Sequence, residues 1–473
     1  MPPRPRLASF ALRMTELAER WLPDAFIFAL LATLLVALAG LTAGGATPRT
    51  VAEAWGNGFW TLIPFTLQMA LIIITGSVVA TAPPVRRLID ALAGLPRTGR
   101  QATVFVAAVA MITSWFNWGF GLVFAAVLAR AVARRVRDVD YRTLAATTLM
   151  GLGSIWAQGL SSSASLLMAT PSMLPRAIGE IVQKGGGPGV PEVPGGIIPL
   201  ASTIFIWQSL VAVAVEIAAV IALLWFMTPT GDSVRTARDL GIRLDDAAGA
   251  DLPAPRTPGE WLEHQQWLSL LVVLLAGGYL VVAVWSAPSA AGAITPNSLN
   301  LCFLTLGFLL HRTPARLMRA FRDAVPATWG LLLQYPFYAG IAAIITGTGL
   351  NAGIASFFTS IATPLSYPPL IAAYSALLGM FIPSGGSKWV VEAPYVLQAA
   401  HNLHVHLGWT VAVYNLGEAV ANLIQPFWML PVLGMLGLRA RDIMGVTFTV
   451  FVFMLPLVLL LVTVLGATLG YPL

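Results

Sequence analysis

The sequence predicts an all-α polytopic membrane protein made of two inverted repeats, each with a re-entrant hairpin and a broken transmembrane helix. Three observations carry that prediction. Of 473 residues, 57% are hydrophobic and only 10% are charged, and mean hydropathy is +0.78, outside the range of soluble globular domains. The segment 102–133 is apolar and about 32 residues long, whereas one crossing needs roughly 20 residues and two need twice that plus a turn. Its landmarks then recur 266 or 267 positions later.

Charge bounds the function classes. The formal net charge of +6 would suggest nucleic acid in a soluble protein. Here the arginines gather in loops on one side of the apolar runs, so the excess reads as topology and no nucleic-acid partner is expected. Cys302 is the single cysteine and lies in an apolar run, which leaves no disulfide framework and no cysteine metal site.

The elements follow in order. Residues 1–22, with Arg4, Arg6, Arg13 and Arg20, read as a cytoplasmic N-terminus in which 7–22 is an amphipathic helix on the inner leaflet. The first repeat is 23–228. It opens with spans at 26–43, retained because no small-residue cleavage site precedes it, and at 59–80. The hairpin 102–133 has Arg97 and Arg100 before it and Arg130, Arg134, Arg135 and Arg137 at its close, so both its ends face the cytoplasm. Its tip, 117–121, then stops near the bilayer midplane, where irregular backbone survives only inside protein or beside a watery cavity. The run 144–177 is broken at Gln158-Gly159-Leu160-Ser161-Ser162-Ser163, and 204–227 follows.

A polar linker, 229–266, carries Asp232, Asp239, Asp245, Asp246 and Asp251 with several arginines and is placed in the cytoplasm. The connecting helix within 267–290 flips the second repeat, 291–473. That repeat contains 299–310, 325–346, a hairpin 369–400 broken at Pro383-Ser384-Gly385-Gly386-Ser387-Lys388, a helix 411–433 interrupted at Gln425-Pro426, and 446–465. Gln68 and Gln334 are 266 apart; Asn117 and Ser384, like Gln158 and Gln425, are 267 apart. Three matches within one residue of the same spacing, each in the same kind of element, signal a repeat. No arginine flanks the second hairpin, so it opens outward and the repeats are inverted. The expected topology is nine crossing segments and two hairpins, with the N-terminus inside and the C-terminus outside.

Both tips and both broken helices are expected to converge near the midplane, where such carriers hold cargo. At the second tip, Ser384, Gly385, Gly386 and Ser387 offer backbone N–H groups and two hydroxyls at a helix start, which favours an anion. Lys388 adds the one deep basic residue, and a lysine with one helix start matches one carboxylate. Alternatively, Lys388 pairs with Glu392, four residues along the same helix. At the first tip, Asn117, Trp118, Gly119 and Phe120 (with Trp115 beside them) suit a short alkyl tail, or pack the hairpin into its scaffold. Ser161, Ser162 and Ser163 suit an oxyanion or a cation, or close helix packing. Glu418, Asn422 and Gln425 share one helix face. Glu418 is a candidate carrier of the coupling ion, with Asn117 as a second ion-coupling candidate, or it neutralises Lys388.

Other polar residues carry less. Glu216 has no polar neighbour on its own helix face, and His401, His404 and His406 are expected in a solvated loop rather than at a metal. No phosphate-binding Gly-x-x-x-x-Gly-Lys-Ser/Thr loop occurs, so nothing points to direct ATP coupling.

The blocks Trp21-Leu22-Pro23-Asp24, Asn117-Trp118-Gly119-Phe120-Gly121, Ala169-Thr170-Pro171, Pro383-Ser384-Gly385-Gly386, Gln425-Pro426-Phe427-Trp428 and Arg441-Asp442-Ile443-Met444-Gly445 resemble the bacterial short-chain fatty acid transporters of the acetoacetate/butyrate utilisation type. They run in family order across essentially the whole chain. The resemblance implies an inner-membrane secondary carrier for short monocarboxylates, within an ion-transporter superfamily that includes dicarboxylate carriers. The partners it implies are a short-chain carboxylate, a coupling proton or sodium ion and the lipid bilayer; a homodimer is compatible with it, and no cofactor or metal is called for. The chain departs from the family pattern at Ser387 and Lys388, where glycine and histidine precede the tryptophan, at Glu392, where glutamine stands, and at the Ser161-Ser162-Ser163 run, which is Gly-rich. Other classes fit less well. A membrane-embedded enzyme needs a nucleophile–base pair or a metal set at depth, and none is found there. A sodium-coupled dicarboxylate carrier or a passive anion channel would share the donors, although a broken inverted repeat favours alternating access over a pore.

Overall fold

The computed structural model describes residues 25–185, 187, 192–244, 254–287, 293–380, 385–425 and 427–473. The expected amphipathic segment within 1–22, the tip residue Ser384 and the side chain of Ser387 lie outside the described residues. Among those described, every regular element is helical.

The first half runs α1 (Ala25–Thr42), α2 (Pro48–Gly58), α3 (Ile63–Ala80) and α4 (Pro83–Leu92) into a hairpin of α5 (Gly99–Phe116) and α6 (Trp118–Arg135). A discontinuous helix follows as α7 (Tyr141–Thr147) and α8 (Ser163–Ala169), and then come α9 (Arg176–Lys184) and α10 (Trp207–Met227). Two helices, α11 (Pro258–Glu263) and α12 (Gln266–Ser286), connect the halves. The second half runs α13 (Pro296–His311), α14 (Pro314–Ala324), α15 (Trp329–Gly347) and α16 (Leu350–Ile361) into a hairpin of α17 (Tyr367–Gly379) and α18 (Gly385–Asn402). Its discontinuous helix is α19 (Leu407–Ala421) and α20 (Leu430–Leu436), and α21 (Ala440–Gly466) closes it.

Whole helices recur at the spacing of the sequence marks. Both ends of α2 and α14 are 266 apart, and both ends of α6 and α18, like those of α8 and α20, are 267 apart. Among the described residues, five helical stretches are long and apolar enough to cross a membrane: Ile63–Ala80, Trp207–Met227, Gln266–Ser286, Pro314–Gly347 and Ala440–Gly466. The other expected crossings fall on shorter or interrupted helices. In α12 only Ser269 is buried, and Leu275 and Trp285 are 79% and 88% exposed, a surface suited to hydrocarbon rather than water.

Local chemistry explains the hairpins and breaks. Thr98 caps α5 by accepting from Gln101 N at 3.3 Å. The first tip turns on a single residue, since Asn117 ends α5 and its Oδ1 caps α6 by accepting from Phe120 N at 2.9 Å, a strong helix-start arrangement. The first break is wider than the sequence predicts: the helix stops at Thr147 and resumes only at Ser163, with one 3₁₀ turn at Ile155–Gln158 between. Thr147 and Thr148 bend their hydroxyls back onto Leu144 O and Ala145 O, and such back-bonding weakens a helix interior. Leu160 N finds Trp115 O of the hairpin at 2.7 Å, so backbone freed by the break is satisfied inside the protein.

At the arginine-rich end the halves are pinned. Arg130 donates to Met435 O at 2.9 Å and to Arg243 O of the linker at 3.2 Å, and Tyr141 Oη donates to Leu436 O at 3.0 Å. At the far end His401 is buried with Nδ1 2.7 Å from Tyr471 Oη, and His406 is buried and caps α19 by accepting from Trp409 N at 3.0 Å. The expectation of a solvated histidine loop therefore holds only for His404. The C-terminal tail folds over this end, and Leu407 N donates to Pro472 O at 2.9 Å.

Candidate functional site

Two hairpin tips and two helix breaks meet at one cavity, where the space open to the centre of a water molecule is about 50 Å³. The first half contributes Met69, Trp118, Leu152, Trp156 and Ser163. From the second half, α15 brings Gly330, Leu331, Gln334 and Tyr335, and the α18 start brings Gly385 and Gly386. Glu418, Asn422 and Trp428 complete the wall. Three indoles and several aliphatic chains face a few polar atoms, the composition of a small-ligand site. That volume admits a few waters.

The cavity is narrow because backbones approach closely. A Cβ on Gly385 would lie 2.9 Å from Trp156 Cη2 and 3.0 Å from Asn415 Oδ1, and one on Gly379 would lie 2.6 Å from Glu418 Oε2. Only glycine lets the second hairpin sit this close to the carboxylate.

The dominant charges are paired across the helices. Lys388 Nζ lies 2.5 Å from Glu418 Oε2, both side chains 1% exposed. The same ammonium donates to Ser375 O at 2.6 Å and to Ser375 Oγ at 3.1 Å. An ammonium has three protons; Ser375 accepts two of these bonds, and Glu418 is held as an ion pair. Tyr414 takes Glu392, its Oη donating to Glu392 Oε2 at 2.6 Å, and its ring lies 5.2 Å from Nζ. Of the two acids left open by the sequence, Glu418 holds the lysine. Glu418 stands on the cavity wall; Lys388 lies one layer behind.

Several expected site residues hold the frame rather than the wall. Asn117 is spent on its cap, and Gly119 packs against the α3 backbone, where a Cβ would be 3.2 Å from Ile73 Cα. Phe120 lies 5.2 Å from Phe124 and 6.1 Å from Phe303, centroid to centroid. Ser161 Oγ accepts from Trp118 N at 3.0 Å, and Ser162 Oγ accepts from Asn415 Nδ2 at 2.7 Å. Gln425 leaves the face of Glu418 because α19 ends at Ala421; its Oε1 accepts from Trp428 N at 3.3 Å. Asn422 Nδ2 donates to Leu152 O at 3.1 Å, tying the two breaks, while Asn422 Oδ1 and Ser163 Oγ lack partners. Glu216 is met from outside its own helix, by Gln158 Nε2 at 2.8 Å.

Sequence reasoning missed the α15 wall and the indoles of Trp156 and Trp428. Gln334 had marked the repeat, and Trp428 a family block, without either being placed at the site. Among the described residues no cluster of three or more His, Cys, Asp or Glu side chains could hold a metal ion.

The profile of a family described as "Short chain fatty acid transporter" matches residues 6–465. A protein of Escherichia coli strain K12, provisionally named a short-chain fatty acid transporter, is 37% identical over 93% of this chain and 96% of its own length. A Haemophilus influenzae protein with the same provisional name is 34% identical over 94% and 96%. The crystal structure of the Alcanivorax borkumensis YdaH transporter superposes with a TM-score of 0.58 at 16% identity, covering 94% of this chain and 98% of that one; at that identity the likeness is one of fold.

Proposed function

The chain belongs to the short-chain fatty acid transporter family, a multi-pass membrane protein suited to the bacterial inner membrane, and on that premise we propose a proton-coupled carrier of short monocarboxylates such as butyrate or acetoacetate. The halves 23–228 and 291–473 are read as inverted repeats that rock about the cavity between them, exposing it to one side at a time.

The observation that carries this reading is the pairing of Glu418, on the cavity wall, with Lys388 one layer behind it. An anionic substrate entering the cavity meets Glu418 first and is repelled while that carboxylate is ionised. A proton on Glu418 removes the repulsion and frees Lys388 to receive the substrate carboxylate, so proton and anion enter together with no net buried charge. Trp118, Trp156, Trp428 and Met69 then enclose the alkyl tail, with Asn422, Ser163 and the α18 start near the head group. One lysine serves one carboxylate, which argues for monocarboxylates over dicarboxylates.

The test is purified protein in liposomes with labelled butyrate under imposed proton and sodium gradients. Uphill accumulation driven by the proton gradient, saturable and showing counterflow, is the expected result. Accumulation driven by sodium alone moves the coupling role from Glu418 to neutral oxygens, and flux without saturation or counterflow describes a channel.

A further inference from the structure

Outside the cavity, a second carboxylate sits at depth in an unusual arrangement. Glu216 lies ten residues into the 21-residue helix α10 and is 0% exposed. Its one hydrogen-bond partner is neutral: Gln158 Nε2 donates to Oε1 at 2.8 Å. Two atoms of this pair remain without partners, Glu216 Oε2 and Gln158 Oε1, and both are acceptors while the acid is ionised.

A single added proton resolves this. A carboxylic acid and a primary amide can join through two hydrogen bonds, amide N–H to acid C=O and acid O–H to amide C=O. The first is present; a hydrogen on Oε2 would supply the donor for the second, converting one of the two orphaned acceptors into the kind of group that the other requires. An ionised Glu216 would instead be a buried charge with one neutral donor, a state costing several kcal/mol.

Among the described residues of the elements packed on α10, no charge is placed to change that balance. The helix α10 packs on α5, α21 and the 155–158 turn, and the turn holds no titratable residue. On α5 the charged residue is Arg100, whose guanidinium lies 6.0 Å from the Trp225 ring, nine positions from Glu216 and about 13 Å along the helix. On α21, Arg441 and Asp442 lie in the first turn, whereas the start of α10 meets the residue just beyond the other end, Gln208 Nε2 donating to Thr468 Oγ1 at 2.9 Å.

We propose that Glu216 is a proton-binding site, protonated in this conformation and held by Gln158 in a cyclic acid–amide pair. Gln158 ends the 3₁₀ turn within the first helix break, and Trp156 of that turn stands on the cavity wall. Loss of the proton breaks one of the two bonds joining Gln158 of the turn to α10 and leaves a charge that drives the pair toward water. Protonation of Glu216 therefore sets the position of a cavity residue without any contact between Glu216 and the cavity, and it is independent of the role given to Glu418.

Infrared spectroscopy of the purified protein at neutral pH, without substrate, tests this. The expected spectrum contains a protonated-acid carbonyl band that disappears in Glu216→Gln, a variant whose amide can rebuild both hydrogen bonds with Gln158 and so keeps the fold. Gln158→Leu should keep the band and shift it to higher frequency, because the acid loses its acceptor; this variant serves alone if Glu216→Gln does not fold. A difference spectrum showing loss of carboxylate absorption instead, in Glu216→Gln, or an acid carbonyl region unchanged by either substitution, overturns the proposal. Neither result bears on which substrate the cavity takes.

Discussion

Asn415 of α19 donates from Nδ2 to Ser162 Oγ at 2.7 Å, joining residues 253 positions apart and fastening the second discontinuous helix to the break in the first. Both residues are 0% exposed, so neither has water as an alternative partner. Asn415→Leu leaves the Ser162 hydroxyl without this donor and should lower stability by about 1–3 kcal/mol, read as a fall in the melting temperature of the purified protein. Ser162→Ala should cost less, since Asn415 retains Ala157 O at 3.4 Å.

The Lys388–Glu418 pair predicts a non-additive cycle. Lys388→Met strands a buried carboxylate and should cost about 3–5 kcal/mol, while Lys388→Met with Glu418→Gln should recover most of that loss. Substrate binding should not recover with stability, because the double variant still lacks the cation. Melting temperature and substrate affinity, measured on the same preparations, separate the two.

Narrowing the cavity at Gly385 should discriminate by size. Gly385→Ala brings a methyl within 2.9 Å of Trp156 Cη2, an overpacking worth about 1–3 kcal/mol. Uptake of butyrate should fall on the order of tenfold and that of acetate less, at equal protein in the membrane; an equal fall for both acids would count against a steric wall here.

Acid should loosen the end of the molecule away from the arginines. Burial pushes the His406 imidazole down to about 4 from its usual 6.5. Between those values the unfolded chain binds a proton that the folded state refuses, so stability falls as pH drops through that window, by on the order of 3 kcal/mol in all. His406→Asn keeps a side-chain acceptor for Trp409 N and should flatten this part of the pH–stability curve.

Membrane sidedness is open to direct labelling. In a background with exposed Cys302 replaced by serine, cysteines at the exposed positions Arg97 and Arg137 should react only from the cytoplasm. Cysteines at the exposed positions Ser366 and Asn402 should react only from outside. Reaction of either pair from opposite sides would remove that hairpin and the inversion of the repeats with it.

The helix breaks were legible because they are written locally: a serine run or a Pro-Ser-Gly-Gly block inside an apolar stretch is hard to fit into a continuous helix. The partner of Lys388 was not, since Glu392 shares its helix and Glu418 is reached only once α18 packs on α19. Gln334 and Tyr335 were overlooked for a related reason, lying in a helix with no interruption to mark it. Gln158 and Glu216 were each visible alone, but helical periodicity relates residues within an element and says nothing about contacts between elements. His401 meets Tyr471 of a tail 70 residues further on, beyond any local pattern.

The contacts of Arg130 give the polar linker a mechanical part. One guanidinium grips both the carbonyl of Met435, near the end of α20, and that of Arg243, so the linker braces the short half-helix against the first hairpin. Swinging α20 away means releasing Met435 O from Arg130 of the hairpin and Leu436 O from Tyr141 of α7, at about 1–3 kcal/mol for a buried bond left unmade. The connection between the halves is thereby also a brace. Shortening or nicking it would change how freely α20 swings while leaving every residue of the cavity untouched.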